Sequence, residues 1–297
     1  MKIGFLFPGQ GAQNIGMGKD FYEKYEEARE IYDKVKELTN IDIAKISFEG
    51  AEELLNKTSY TQLAVLTNSL AILAILKKKK IQAEISAGLS LGEYAALIYS
   101  GAIRFEEGIK LVQKRGEYME KLLPKGEWQM AAIIGLTQQQ VEKICQQITK
   151  GFIAVANYNC EEQIVLSGEK DAILEAEEIA KAMGAKKVRV LKTAGPFHTE
   201  KLKESSIAYA KELEKIKINS FTSEVIKNLD GTPYNSKDNI KEILEKHIIC
   251  PVQFTKIIQT MLEQGIDIFI EIGPRKNFVW FCKKNKNKQR DNNFKYK

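Results

Sequence analysis

The pentapeptide Gly-Leu-Ser-Leu-Gly at residues 88–92 is the most specific chemical signal in the chain. An apolar, strand-like run at 83–87 precedes it and a helix that runs to Gly101 follows, so Ser90 falls on a strand-to-helix turn. Such a turn pushes the serine hydroxyl outward, beside the free amides of a helix N-terminus that suit a developing oxyanion. A tight turn with a capping serine is the alternative, but the strand–turn–helix context favours a nucleophile.

A serine hydroxyl is a weak nucleophile unless a base lies within hydrogen-bond reach, and this chain has only two histidines. His198 lies in a Gly-Pro-containing loop just before a helix, where its ring is free to point into a cleft. The alternative is that His198 is a loop histidine with no functional role. His247 ends a helix rich in Glu and Lys, and we expect it to be a partly exposed residue at that helix C-terminus.

Arg115 is a candidate anion-binding residue. On the helix predicted for residues 106–122, it falls only ~40–60° from Val112 and Met119 at about 100° per residue, which is the apolar face. Its guanidinium therefore points inward, where it requires an anion that can accept its planar fork of donors. A salt bridge to an Asp or Glu in the core is the more frequent solution for an inward arginine.

The segment Phe-Pro-Gly-Gln-Gly-Ala-Gln at residues 7–13 follows the first predicted strand. Its Gly-x-Gly has a dinucleotide-like look, but Asn14 stands where a third glycine would belong, which disfavours a nucleotide site. We expect a turn that presents the Gln10 amide at the carboxyl end of the strand, the edge where α/β sheets place their ligands.

The elements that must position these residues change their pattern twice along the chain. Residues 1–126 alternate short apolar strands with long amphipathic helices, which predicts parallel strands with helical crossovers. Residues 127–194 show the element order βαββαβ with glycines between elements, which indicates a ferredoxin-like insert. The α/β pattern resumes over 195–282, so we expect the insert to interrupt one larger, discontinuous catalytic domain.

The formal charge of +6 does not indicate a nucleic-acid partner. Residues 283–297 contain six Lys and one Arg against one Asp, which accounts for the whole net charge. A short Lys/Asn-rich terminus with few apolar residues does not offset its ordering entropy, so we predict a disordered basic tail.

The composition also indicates the cellular compartment of the protein and which cofactors it can bind. The four cysteines show no C-x-x-C spacing, the chain begins with a strand-like run, and there are too few histidines for a zinc site. These features predict a reduced, cytoplasmic protein without a signal peptide or a metal. The longest apolar stretch, residues 63–76, is shorter than the ~20 residues that span a bilayer, so we expect a buried core helix.

Taken together, the chain resembles the malonyl-CoA:acyl carrier protein transacylase family from its first strand to about Phe281. The resemblance rests on six motifs in the family's order, at residues 5–13, 88–94, 114–116, 156–159, 195–198 and 271–274. It implies an α/β-hydrolase-like domain that carries a ferredoxin-like insert, in agreement with the pattern of strands and helices.

The resemblance also implies roles for individual residues. Ser90 would be the acyl-accepting nucleophile and His198 its general base. Gln10 and the main-chain N–H of Leu91 would form the oxyanion hole. The histidine would be oriented by a main-chain carbonyl, which falls here on His247, rather than by a carboxylate.

By the same resemblance, Arg115 would pair with the free carboxylate of a malonyl group, and the ring of Phe197 would leave little room for a branched acyl chain. The implied reaction moves malonyl from malonyl-CoA, through a serine ester, to the phosphopantetheine thiol of holo acyl carrier protein. It needs no cofactor, and we expect a monomer without nucleic-acid or membrane partners. Fatty acid synthesis is the expected pathway, with a discrete polyketide-synthase acyltransferase as the alternative.

Three positions depart from the family pattern. Leu89 stands where His is common, His247 where Gln is common, and Ala194 where Ser is common. Two other functions stay open. One is a serine esterase or thioesterase that uses Asp230 and His247 with Ser90, and the other is a non-catalytic protein that binds an acyl carrier. The order Ser, acid, His of hydrolases disfavours His198 as their base, because it precedes Asp230.

Overall fold

The computed structural model describes residues 1–192, 195–274 and 278 of the 297-residue chain. The predicted Ala194 departure, the basic tail at 283–297 and the end of the second domain segment, residues 275–277 and 279–282, lie outside the described residues. The first half of the chain contains β1 (Ile3–Phe7), α1 (Lys19–Lys24), α2 (Glu26–Thr39), α3 (Ile43–Glu49), α4 (Glu52–Leu55), α5 (Thr58–Lys78), β2 (Ile85–Gly88), α6 (Gly92–Tyr99) and α7 (Phe105–Lys121). The second half contains β3 (Trp128–Ile134), α8 (Gln138–Gln147), β4 (Ile153–Cys160), β5 (Gln163–Glu169), α9 (Lys170–Ala182), β6 (Lys187–Val190), α10 (Lys203–Leu213), β7 (Glu224–Val225), α11 (Ile240–His247), α12 (Phe254–Glu263) and β8 (Ile268–Glu271).

Four parallel strands form the sheet that carries the candidate nucleophile. Their order is β7-β2-β1-β8, so β1 lies between β2 and β8. The four residues of β2 are all buried, as are four of the five in β1, as expected for parallel strands that are covered on both faces. The prediction of a parallel α/β sheet is confirmed.

Helix α5 is longer than the apolar run at 63–76 suggested. It spans 21 residues, and by length and composition alone it could cross a membrane, yet 72% of its most apolar window is buried inside the protein. It packs against α2 and α7 in the main hydrophobic core. The prediction of a buried core helix is confirmed, and its predicted length was too short.

The second sheet is antiparallel, with strand order β4-β5-β3-β6. This is the strand order that a βαββαβ sequence adopts in a ferredoxin-like fold, and helices α8 and α9 pack over a separate small core of Ile133, Val141, Leu166 and Ile173. A capping box in which Thr137 and Gln140 satisfy each other's main-chain N–H groups begins α8. The ferredoxin-like architecture is confirmed, whereas the limits 1–126, 127–194 and 195–282 stay predictions.

The two sheets meet beside the end of α11. Strand β4 forms a bridge from Asn157 to Val252, and the main-chain groups of Val252 bond to those of Ala156 and Tyr158 at 2.9 Å. These bonds fix the polar end of β4 against the loop that follows His247. The insert therefore contributes one wall to the cleft above the parallel sheet.

Several element boundaries differ from the prediction. The amphipathic pattern of residues 20–39 predicts a single helix, but the extended backbone of Tyr25 divides it into α1 and α2. Helices α3 and α4 were not predicted, because short helices with a few apolar residues give a weak periodic signal. The pattern of residues 200–215 predicts one helix after His198, which begins as a short 3₁₀ turn at Glu200–Leu202 that Thr199 caps.

Candidate active site

Ser90 lies at the turn between β2 and α6, as the pentapeptide predicts. Its φ of 54° is in the left-handed region, which non-glycine residues rarely adopt. A Cβ on Gly88 would fall on the main chain of Gly92, and a Cβ on Gly92 would fall on the carbonyl of Phe7. Both glycines are therefore required for the close approach that exposes the Ser90 hydroxyl to the cleft.

The imidazole of His198 reaches the candidate nucleophile. His198 Nε2 lies 2.7 Å from Ser90 Oγ, and both residues are buried. His198 also has a positive φ, of 59°, in the loop before α10, and the Thr199 hydroxyl holds that loop by donating to the Pro196 carbonyl at 2.6 Å. The loop residues, not a regular element, thus fix the ring position.

The other ring nitrogen settles the tautomer of His198. Nδ1 lies 2.9 Å from the main-chain carbonyl oxygen of His247, which can only accept a hydrogen bond. In the neutral ring the proton must therefore sit on Nδ1, which leaves the Nε2 lone pair facing Ser90. Burial holds the pKa of His198 well below its usual range, and the neighbouring His247 ring and Arg115 lower it further. The ring is thus a neutral acceptor at physiological pH.

Arg115 points inward, as its helical position predicts, and is 1% exposed. Its guanidinium donates to Gln62 Oε1 at 2.7 Å and to Ser90 Oγ at 3.1 Å, and it lies 5.6 Å from the centre of the Tyr94 ring. These partners are all uncharged. The core salt bridge that was the more frequent expectation is not formed among the described residues.

One main-chain amide remains beside the serine. The Ser90 N–H donates to Asn228 Oδ1 at 2.7 Å, and the N–H groups of residues 92 and 93 donate to carbonyls within the turn. Among the described residues, the N–H of Leu91 at the start of α6 has no acceptor. The turn therefore keeps one donor next to the Ser90 hydroxyl.

A single cleft of about 570 Å³, which includes space open to solvent, brings most of the predicted site residues together. Gln10 lines it and donates to Thr58 Oγ1 at 3.3 Å, which holds the amide at the carboxyl end of β1. Phe197 lines the same cleft and is buried. The lining residues are Gln10, Gln62, Leu89, Ser90, Arg115, Met119, Met130, Asn157, Asn159, Val165, Leu191, Phe197 and His198.

The expectation for the His247 side chain was wrong. It does end α11, but it is 1% exposed rather than partly exposed. Its ring lies against that of His198, with centroids 5.1 Å apart, and Nδ1 lies 2.9 Å from Glu93 Oε2. The end of α11 is buried against Glu93 and His198, which a sequence pattern of Glu and Lys on the other faces does not reveal.

Asn228 is the site residue that sequence reasoning missed. Besides accepting from Ser90, it donates to the Gly88 carbonyl at 2.6 Å and so braces the turn on both sides of the serine. Its signal was its position just beyond β7, at the same carboxyl edge of the sheet as the serine. The short strand β7, of two residues, made that edge difficult to recognise.

Comparison with known proteins agrees with this arrangement. The profile of the acyl transferase domain family matches residues 4–289. A malonyl CoA-acyl carrier protein transacylase of Bacillus subtilis is 38% identical over 285 residues, which cover 95% of this chain and 90% of that protein. Its counterpart in Staphylococcus aureus is 36% identical over 95% of this chain and 92% of that protein.

Solved structures give the same answer. The crystal structure of the malonyl CoA-acyl carrier protein transacylase from Clostridium perfringens is 43% identical, has a TM-score of 0.92 and covers 100% of this chain and 92% of that one. A malonyl-transacylase in complex with a type II polyketide acyl carrier protein is 31% identical, with a TM-score of 0.93 over 97% of this chain and 94% of that one. The chain therefore belongs to the acyl transferase domain family and, within it, to the malonyl-CoA:acyl carrier protein transacylases.

Proposed function

We propose that this protein transfers malonyl from malonyl-CoA to the phosphopantetheine thiol of acyl carrier protein through an ester on Ser90. The observation that carries the proposal is the contact of 2.7 Å between the Ser90 hydroxyl and the ring nitrogen of His198 that is free to accept a proton. The turn, the base and a buried cation converge on one cleft. No cofactor or metal is required for this chemistry.

In the first half-reaction, Ser90 Oγ attacks the thioester carbonyl of malonyl-CoA while His198 Nε2 takes the hydroxyl proton. The tetrahedral intermediate then collapses, the C–S bond breaks, and His198 returns its proton to the departing sulfur of coenzyme A. In the second half-reaction the phosphopantetheine thiol gives its proton to His198 and attacks the ester. The Ser90 oxygen leaves and recovers the proton.

Both half-reactions place negative charge on the former carbonyl oxygen. The Leu91 N–H at the start of α6 is the donor that the turn leaves available, and the positive end of the helix dipole supports it. The Gln10 amide lines the same cleft and is assigned as the second donor. One such donor contributes about 10²–10³ in rate.

Arg115 is assigned as the partner of the malonyl carboxylate. It is buried beside the nucleophile and its described partners are neutral, so an anionic substrate group would supply the missing counter-charge. A planar guanidinium fits a carboxylate with two parallel hydrogen bonds. This assignment would make malonyl the preferred acyl group over acetyl, and the buried Phe197 ring would exclude branched chains.

The remaining assignments concern the setting of the enzyme. The names of the relatives support malonyl-CoA and an acyl carrier protein as partners. We propose a monomer in the cytoplasm that serves fatty acid synthesis, with polyketide synthesis as the alternative because the carrier in one structural relative belongs to that pathway.

The esterase alternative is disfavoured by the position of its acid. Asp230 Oδ1 accepts from the main chain and hydroxyl of Thr232, and Oδ2 pairs with Lys227 at 3.4 Å. Asp230 is thus engaged within its own turn rather than with an imidazole. His247, the histidine that this alternative needs, packs its ring against His198, and among the described residues neither of its ring nitrogens forms a hydrogen bond to Ser90.

Transfer to the carrier tests the proposed function. The purified protein is mixed with malonyl-CoA and holo acyl carrier protein, and the carrier is weighed by mass spectrometry. We expect one malonyl group per carrier and little acetyl in a parallel reaction with acetyl-CoA. Release of free malonate without a carrier product would identify a thioesterase, and no reaction at all would identify a binding protein.

A further inference from the structure

The carboxylate of Glu93 lies completely buried, at 0% exposure, in the first turn of the helix that begins beside Ser90. Its Oε1 accepts from the Asn228 main-chain N–H at 3.1 Å and from the Tyr234 hydroxyl at 2.9 Å. Its Oε2 lies 2.9 Å from His247 Nδ1. Burial of a carboxylate is unfavourable unless polar partners compensate for the lost water, and these three contacts are the partners of Glu93.

The contact of Glu93 with the main chain of Asn228 leads to the nucleophile. Asn228, whose N–H is held by Glu93, uses its side chain to accept from the Ser90 N–H and to donate to the Gly88 carbonyl. The amide of Asn228 is therefore fixed at both its main chain and its side chain. Glu93 thus acts on the strained Ser90 turn through one intermediate residue.

The contact of Glu93 with His247 leads to the base. His247, whose ring lies against Glu93, accepts the Nδ1 proton of His198 with its main-chain carbonyl. The Glu93–His247 approach is close but not aligned as a hydrogen bond, since Glu93 Oε2 and both His247 ring nitrogens have no hydrogen-bond partner among the described residues. The contact is therefore an electrostatic one that draws the end of α11 toward α6.

We propose that Glu93 is a positioning residue that holds both members of the Ser90–His198 pair, the serine through Asn228 and the histidine through the His247 carbonyl. This inference rests on the proposed function. It does not touch the substrate. A displacement of about 1 Å in either member lowers a rate by about 10²-fold, so a single carboxylate connected to both has a large effect on turnover.

The charged and titratable groups around this connection come from several elements. Glu93 on α6 faces His247 at the end of α11 and Tyr234 beyond β7. His198 is faced by the His247 ring and by Arg115 from α7, and both hold its pKa down. The Lys227–Asp238 ion pair lies beside Tyr234, with Lys227 Nζ 5.8 Å from the centre of that ring.

Glu93→Gln keeps the size of the side chain and removes its charge. We expect kcat per titrated active site to fall about 10- to 100-fold while KM for malonyl-CoA stays within about twofold, because the change displaces reacting groups without touching the substrate. His247→Leu removes the polar ring that faces Glu93 Oε2 and should lower kcat to a similar extent. His247→Gln places a polar amide opposite Glu93 Oε2 again and should recover most of the lost rate.

Two further readouts separate positioning from general stabilisation. His247→Gln removes the ring that lowers the pKa of His198, so the acidic limb of the kcat/KM profile should move to higher pH. The double variant Glu93→Gln/His247→Leu should be no slower than about the worse single variant, because both changes break one connection. Ser206→Ala is the matched control. Ser206 on α10 is buried, and its hydroxyl donates to the carbonyl of Glu245, which lies on α11 with His247. This control variant should lower the melting temperature and leave kcat per active site unchanged.

The outcomes are distinguishable. If Glu93→Gln lowers the melting temperature but keeps full kcat per active site, or if the double variant loses the product of both single effects, the positioning role is wrong. If Glu93→Gln does not fold, Tyr234→Phe replaces it, because it removes one donor to Oε1 and should give a smaller fall in kcat at unchanged KM; an unchanged kcat there overturns the role. If the unmutated protein forms no acyl-enzyme, the proposed function itself fails.

Discussion

Ser90 Oγ and His198 Nε2 lie 2.7 Å apart although 108 positions separate the two residues in the chain. The whole antiparallel sheet is inserted between them in sequence, and both residues have left-handed backbone conformations at their turns. The fold therefore brings together two loops that are individually strained. Strain of this kind persists where the surrounding structure over-determines it, which is typical of functional sites.

Arg115→Ala should abolish the preference for malonyl over acetyl. The guanidinium is buried among neutral partners, and a charge-assisted carboxylate pair contributes about 1.5–3 kcal/mol, or roughly 10- to 200-fold. We expect kcat/KM for malonyl-CoA to fall by that factor while acetyl-CoA turnover changes little. Competition between the two thioesters measures this directly, and an unmutated enzyme that uses both equally would refute the assignment.

His198→Ala should slow acylation by about 10²–10⁴-fold, the usual contribution of a positioned general base. The fall should be larger than that of His247→Leu, because His247 offers its main-chain carbonyl to the pair and this carbonyl survives substitution. Rapid-quench measurement of the acyl-enzyme gives both rates. Loss of activity in the His247 variant alone would favour a hydrolase arrangement instead.

As the pH is lowered, the rate of acylation should begin to fall only below the ordinary titration range of histidine. Burial, the His247 ring and Arg115 all lower the pKa of His198, so its neutral form persists to lower pH than that of a free imidazole near 6.5. The acidic limb of the kcat/KM profile for malonyl-CoA should therefore lie below about pH 6.5. A limb at or above that value would show that the ring is not held neutral.

Phe197→Ala should widen the acyl pocket. The ring is buried on the cleft wall next to His198, and its removal opens space without removing a polar contact. We expect methylmalonyl-CoA to become a substrate at a rate at least about tenfold above that of the unmutated enzyme, since one methyl group in an apolar pocket is worth about 10- to 200-fold in selectivity. Unchanged rejection of methylmalonyl-CoA would place the selecting wall elsewhere.

Local patterns predicted the parts of the site that depend on one segment. The pentapeptide at 88–92 predicted the Ser90 turn, and the helical position of Arg115 predicted its inward direction, because both follow from geometry within a few residues. The βαββαβ pattern predicted the second sheet for the same reason. Each of these expectations matches the structure.

Contacts between distant segments were not predictable in this way. The approach of His247 to Glu93 and the brace that Asn228 gives Ser90 both join residues more than 130 positions apart. The buried state of His247 depends on how the end of α11 packs against α6, which no pattern within α11 encodes. Its expected exposure was wrong for that reason.

The most direct test of the central claim is the site of acylation. The protein is mixed with malonyl-CoA, quenched in acid, weighed intact and digested, so that the modified residue is located by peptide sequencing. We predict one malonyl group per chain, on Ser90, and no added mass in Ser90→Ala. Malonyl on another residue, or a Ser90→Ala variant that still gains the group, would contradict the mechanism.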